Sequence, residues 1–512
     1  DALPICQTIV FNNENTAENR GLFAGSEVER AGEEYMAEQG TRPVVFLSLK
    51  DANINAMDCD SLVGIFKEIL RELYGQFRYL LQSEALADDE KKYFSAILQK
   101  TVPAYEMQLA LKNLSAYLQR YYRRKVLLLI DEYDAPIQAA WENGYYKEAI
   151  AFMRGFLGSA LKTNTALDFA MLTGVLRIAK ESIFSALNNL EVASVLNRSF
   201  ADIFGFTQTE IEKIAADFNC PEKISEIKTW YDGYNFSGQE IYNPWSVIRY
   251  FDMKCKPAAY WINTSGNSII THLVEQADDK QMKNLHTLMC GKPIYTSIKE
   301  GFIYDEIYSD HDALYTMLLT TGYLKKIPDS TVDDMEGIND YCALVIPNRE
   351  IRRVYAREII SRCNRLGGER IDTMAMLRHL LSGAAEEFAE ELNSYTQVLV
   401  SYYDAANKES FYHGFMLGMM ALLVPQYTVR SNRESGYGRF DLAVFPKRPT
   451  LAGVIMELKV AKDENELEQV AETALEQIET KDYPAEFRSQ GIETVWKYGI
   501  AFCGKKLAIK RG

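Results

Sequence analysis

The chain has 512 residues, 47% apolar and 25% charged, the composition of soluble globular protein, so two to four domains around sizeable cores are expected. Its net charge of −15 argues against a protein that coats nucleic acid with its whole surface. Eight cysteines (Cys6, Cys59, Cys220, Cys255, Cys290, Cys342, Cys363, Cys503) lie scattered with no C-x-x-C pair, which argues against a zinc site or a disulfide framework and points to a reducing cytoplasm.

The chain opens on Asp1 rather than methionine, which sets the expectation of a missing upstream segment. After an Asn-rich stretch at 12–19, residues 43–49 read as a compact apolar strand. A long helix is expected from Ser61, where Leu62, Ile65, Phe66, Ile69, Leu70 and Leu73 recur on one face, and another through Leu111, Leu114 and Leu118. The run Val126-Leu127-Leu128-Leu129-Ile130 then leads into Asp131-Glu132-Tyr133-Asp134. An unbroken apolar run suits a central parallel strand buried on both faces, and strand, helix, strand predicts an α/β sheet with right-handed crossovers. Asp131 and Glu132 stand at the strand's C-terminal end, the edge where ligands bind in open α/β sheets. A helix over 147–163 and a strand over 168–174, ending at Thr173-Gly174, follow.

The words Ile130-Asp131-Glu132-Tyr133-Asp134 and Thr173-Gly174-Val175-Leu176-Arg177-Ile178 together resemble a bacterial family whose N-terminal half is an AAA-ATPase-like domain. That resemblance implies Asp131 holding Mg²⁺ through water, Glu132 polarising the hydrolytic water, Thr173 at the sensor position and Arg177 facing phosphate. One departure is serious: no G-x-x-x-x-G-K-[ST] loop occurs anywhere in the sequence. Without backbone N–H groups wrapping phosphate and a lysine to neutralise it, tight ATP binding by this chain is not expected. In the family the loop lies upstream of the matched region, so the resemblance implies ATP for the complete protein and a first sheet lacking a central strand.

Residues 204–370 read as a mostly helical, lid-like connector. Thr207 to Glu210 is a capping box, and a helix through Tyr315 and Leu318 is expected to run towards Leu324. The aromatic words Trp230-Tyr231-Asp232-Gly233-Tyr234-Asn235-Phe236 and Tyr242-Asn243-Pro244-Trp245 belong to the same resemblance; packing of a small lid is favoured over stacking on bases. Residues 411–424, apolar all round, fall short of the ~20 residues of a membrane span, so no membrane partner is expected. His413 within them reads as a satisfied core histidine.

Two apolar runs then stand on either side of a Pro, Gly and Thr turn: Arg439-Phe440-Asp441-Leu442-Ala443-Val444-Phe445 and Val454-Ile455-Met456-Glu457-Leu458-Lys459-Val460. Strand alternation puts Glu457 and Lys459 on one face, within reach of Asp441 if the strands pair. Two carboxylates so close repel unless a cation intervenes, which points to an oxygen-liganded ion such as Mg²⁺ (or Mn²⁺), with Lys459 beside it to orient water or balance phosphate charge. Three charged residues at exposed strand positions are the competing reading.

Asp, a turn, and Glu-x-Lys resemble the PD-(D/E)XK nuclease superfamily, and the words Ser431-Asn432-Arg433-Glu434-Ser435-Gly436-Tyr437-Gly438-Arg439-Phe440-Asp441 resemble the C-terminal nuclease-like domain of the same AAA-ATPase-like family. The resemblance implies that Asp441 and Glu457 hold the metal and that Lys459 serves the attacking water. It also implies that Gln477, with Tyr483, forms the Gln…Tyr element in which the glutamine supports the active site. Residues 426–462 carry seven basic against three acidic side chains, and 497–512 carry five basic and none acidic, patches suited to phosphate or to solvent.

The expected architecture is α/β throughout: a truncated P-loop-type parallel sheet over 1–203, the helical region over 204–370, and a restriction-endonuclease-like mixed α/β domain over 371–512. The expected function is metal-dependent hydrolysis of DNA or RNA in the cytoplasm, coupled to an ATPase-like module. The alternative is an ATP-dependent switch whose C-terminal domain binds nucleic acid or a protein partner without cutting. Oligomeric state is not legible.

Overall fold

The computed structural model describes residues 21–52, 56–162, 164–175, 190–196, 200–236, 238–261, 270, 273, 279–289, 291–299, 306–307, 310–328, 332–333, 340–367, 372–399, 409–420, 423, 426–435 and 438–512. The chain divides into two compact units, 1–192 with 299–317 and 193–298 with 318–512.

In the first unit three parallel strands, β1 (Val44–Ser48), β2 (Val126–Asp131) and β3 (Leu167–Leu172), pair in the order β1-β2-β3. The apolar run of β2 takes the centre, where Val126, Leu128 and Ile130 are fully buried. β3 is an edge strand among the described residues, and its Phe169 is 60% exposed. Helix α1 (Cys59–Gly75) starts at a capping box between Asp58 and Ser61 and buries Leu62, Phe66 and Leu70, the stripe that the one-face spacing demands. Phe66 meets Phe152 and Phe156 of α3 (Tyr146–Leu161) edge-on, at 4.9 and 5.2 Å between centroids. Between them α2 (Ala110–Tyr122) ends where Arg123 turns left-handed (φ 59°), and β2 follows.

The second unit contains the helical middle, which also holds strands. A hairpin joins β4 (Asp232–Phe236) to β5 (Gln239–Tyr242), and β6 (Ile294–Ser297), β7 (Lys325–Lys326) and β8 (Val332–Asp333) all pair antiparallel with β9 (Asp340–Val345). The capping box is present: Thr207 Oγ1 accepts from the Glu210 N–H, and the Glu210 carboxylate accepts from the Thr207 N–H at 2.8 Å. Trp230, Tyr231, Tyr242 and Tyr250 share one buried cluster, so these aromatics are core. The helix through Tyr315, which begins at His311 in the first unit, ends at Thr320 rather than running towards Leu324, because Gly322 adopts a left-handed turn (φ 83°).

At the C-terminus five strands, β10 (Tyr427–Ser435), β11 (Gly438–Pro446), β12 (Gly453–Val460), β13 (Val495–Cys503) and β14 (Lys506–Arg511), form one sheet in sequence order. Only β12 and β13 run parallel; the other pairs are antiparallel. Helix α4 (Glu409–Met420) serves one face, where its Tyr412 stacks on Phe502 of β13 at 4.1 Å. Helix α5 (Leu467–Thr480) covers the other, burying Leu467, Ala471, Ala474 and Ile478. Its approach depends on Gly499, the β13 partner of Glu457: a Cβ there would lie 2.2 Å from the Ala471 carbonyl oxygen and 2.4 Å from the Leu475 nitrogen. Among the described residues no helix is long and apolar enough to cross a membrane.

Candidate active site

Antiparallel pairing of Leu442, Ala443 and Val444 with Met456, Ile455 and Val454 brings Asp441 alongside the Glu457 end of β12. Alternation then decides the faces. Ile455 packs with Ala443, Phe445, Ile478 and Tyr483 under α5, so Glu457 and Lys459, two and four residues on, point to the α5 side. Asp441 turns its carboxylate onto β12, where Oδ2 accepts the Leu458 N–H at 2.8 Å. Lys459 Nζ donates to Glu457 Oε1 at 3.1 Å. Gln477, on α5, donates to the same oxygen through a very short contact, and the same Nε2 reaches the Tyr483 hydroxyl at 3.2 Å.

Glu457 is therefore a buried carboxylate, 2% exposed, with one oxygen gripped from two sides and the other, Oε2, buried without a hydrogen-bond partner. Burial first, and the neighbouring Asp441 second, push its carboxyl up to about 7 against the pull of Lys459. An orphaned buried oxygen beside a second carboxylate is what a hard divalent ion would satisfy. Among the described residues no group of three or more His, Cys, Asp or Glu side chains is arranged to hold a metal ion. Two carboxylates nonetheless suit Mg²⁺, which keeps several waters and takes substrate oxygens rather than a full protein cage. Burial also pushes the Tyr483 phenol up, although its bond from Gln477 pulls the other way; it stays a neutral hydroxyl.

In the first unit Asp131 and Thr173 meet at the ends of adjacent strands: Thr173 Oγ1 donates to Asp131 Oδ1 at 2.5 Å. The next residue, Glu132, takes a left-handed backbone (φ 51°), which costs a non-glycine residue roughly 1 kcal/mol or more. Burial raises its carboxyl, with Lys50 opposing and Asp131 and Asp51 adding to the rise. Gly174 permits a close approach, since a Cβ there would sit 2.5 Å from Asp134 Oδ1. Arg177 lies outside the described residues.

The C-terminal mixed sheet thus sets Asp441 beside Glu457 and Lys459, and the N-terminal parallel sheet ends in Asp131 and Glu132 beside Thr173. Residues 407–512 match the PD-(D/E)XK nuclease superfamily, and residues 6–184 match the family described as a predicted AAA-ATPase. The chain thus carries an AAA-ATPase-like domain followed by a PD-(D/E)XK superfamily domain. It is also similar to an "Uncharacterized protein in vnfD 5'region" of Azotobacter chroococcum mcd 1, with 26% identity over 388 residues, 74% of this chain and 69% of that protein. No solved structure matches.

Sequence reasoning missed two contributors. The Leu458 N–H that anchors Asp441 is a main-chain group and leaves no mark in composition. His413 of α4 is buried, as a core histidine should be, but its Nε2 lies 3.0 Å from the Asp441 carbonyl oxygen, a contact across 28 residues that no local pattern signals.

Proposed function

We propose that this protein is a metal-dependent nuclease hydrolysing phosphodiester bonds of DNA or RNA at Asp441, Glu457 and Lys459. The observation that carries the reading is the partnerless buried Oε2 of Glu457, next to a second carboxylate and a lysine on one sheet face. A divalent ion bound there supplies Lewis acidity towards water and phosphate oxygens. Asp441, oriented by the Leu458 N–H, and Glu457, oriented by Gln477, would hold it. Lys459 places a positive charge where the attacking water and the scissile phosphate would meet, offsetting the charge that grows on phosphorus-bound oxygens. Glu457 must release its proton to bind the ion, and its raised affinity for that proton makes ion binding and deprotonation one coupled step.

In the same reading residues 1–203 form the ATPase-like module, 204–370 the lid-like region and 371–512 the nuclease domain. Asp131, Glu132 and Thr173 are the residues that would face a nucleotide-bound Mg²⁺. No stretch of this sequence supplies a phosphate-wrapping loop, so no step is assigned to ATP.

The test is cleavage of labelled DNA and RNA by the full chain with Mg²⁺ or Mn²⁺, compared with Lys459→Ala and Asp441→Asn. Loss of cleavage in both variants is expected. Activity unchanged by both removes the assignment, and salt-sensitive binding without any cleavage favours the switch reading.

A further inference from the structure

Two of the bonds that hold Asp441 come from different elements. Its side chain is fixed by β12, through the Leu458 N–H on Oδ2 at 2.8 Å. Its main chain is fixed from the opposite side of the sheet, by His413 of α4 at 3.0 Å. Because a carbonyl oxygen only accepts, His413 Nε2 must carry the hydrogen, which sets this ring's donor. The histidine is 5% exposed, so water offers the Asp441 carbonyl little competition for that donor.

The place of this bond matters. The β11–β12 register runs Val444↔Val454, Ala443↔Ile455, Leu442↔Met456, and at the next residue the carboxylate of Asp441 takes a β12 N–H that a backbone carbonyl would take in a regular ladder. On its other edge β11 is held by β10 at Leu442 and Phe440, on either side of Asp441, and α4 adds a side-chain donor to the Asp441 carbonyl itself. A shift of that peptide plane would swing the carboxylate away from Glu457.

From this geometry we infer that His413 is a positioning residue for the metal centre: its Nε2–H holds the Asp441 main chain so that the Asp441 carboxylate meets the ion in register with Glu457. This rests on the metal-centre reading of Asp441 and Glu457. Groups that orient a ligand from behind typically change metal affinity 10- to 100-fold when removed.

The experiment is Mn²⁺ titration of the full chain, by calorimetry and by the Mn²⁺ paramagnetic resonance signal, without nucleic acid. Wild type, Asp441→Asn, His413→Ala and His413→Gln are compared; the last keeps an N–H donor at similar reach. His413→Ala is expected to weaken Mn²⁺ binding at least ~10-fold, and His413→Gln to return within about threefold of wild type. Should His413→Ala fail to fold, His413→Phe fills the space without a donor and takes its place. Equal affinity in wild type and the donorless variant overturns the role of His413 while leaving the metal centre standing, as does a His413→Gln protein as weak as the donorless one. Absence of Mn²⁺ binding by wild type, or binding undiminished in Asp441→Asn, removes the metal centre itself and the inference with it.

Discussion

Replacing Glu457 by glutamine keeps the side chain's shape and an oxygen for Gln477 while removing the charge. In the metal-free protein that charge is a liability, because burial and Asp441 raise the carboxyl from 4.5 to about 7. At about 1.4 kcal/mol per pKa unit the ionised side chain costs the fold about 3 kcal/mol. The pull of Lys459 is already contained in that net rise, so Glu457→Gln should stabilise the metal-free protein by up to about 3 kcal/mol above neutrality. The sign follows from linkage. The unfolded chain loses this proton near 4.5 and the folded chain only near 7, so wild-type stability falls as pH rises through that window and levels off above it. Thermal unfolding of both proteins from about pH 4 to about pH 9 in chelator should show the transition of the C-terminal unit coinciding in acid and separating through that window. Excess Mg²⁺ or Mn²⁺ should then raise wild type at high pH and leave Glu457→Gln nearly unmoved. A gap independent of pH, or a wild-type transition indifferent to the ion, would refute the account of Glu457 as a carboxylate strained for want of a cation.

Gln477→Ala leaves Lys459 as the remaining side-chain grip on Glu457 Oε1 and should lower Mn²⁺ affinity and cleavage ~10- to 100-fold, with a loss of about 1–3 kcal/mol in unfolding of the metal-free protein. Gly499→Ala drives a methyl group into the α5 backbone at Ala471 and Leu475, so a loss of about 1–3 kcal/mol or more in urea unfolding is expected, together with lost cleavage as Gln477 is carried outward. Thr173→Val deletes the hydroxyl that donates to Asp131 and should cost about 1–3 kcal/mol in the first unit, read from the same unfolding curves; an unchanged midpoint would mean the bond contributes nothing.

The elements that sequence disclosed most clearly were those where one physical requirement dominates. A central parallel strand must be apolar on both faces, and Val126–Asp131 can hardly be anything else. The one-face repeat from Leu62 to Leu73 became the buried stripe of α1, and the box at Thr207 opens a helix because Glu210 and Thr207 satisfy each other's N–H groups locally. In the middle region the strands β4 to β9 went unread, since β7 and β8 have two residues each and take their shape only from pairing with β9. The helix through Tyr315 stops short of Leu324 because Gly322 turns left-handed against Tyr234, a contact made only in the folded chain.

At the candidate site the same division holds. Alternation along a strand is a property of the backbone, so the chain itself dictated that Glu457 and Lys459 share a face and that Asp441 would join them once β11 and β12 paired. Folding alone decided that Glu457 would be buried with one oxygen unsatisfied, that Gly499 would admit α5 closely enough for Gln477 to grip it, and that His413 would arrive behind Asp441. Those facts depend on segments up to tens of residues apart meeting in space, and burial, which sets the proton affinity of Glu457, is a property of what packs around a residue rather than of the residue itself.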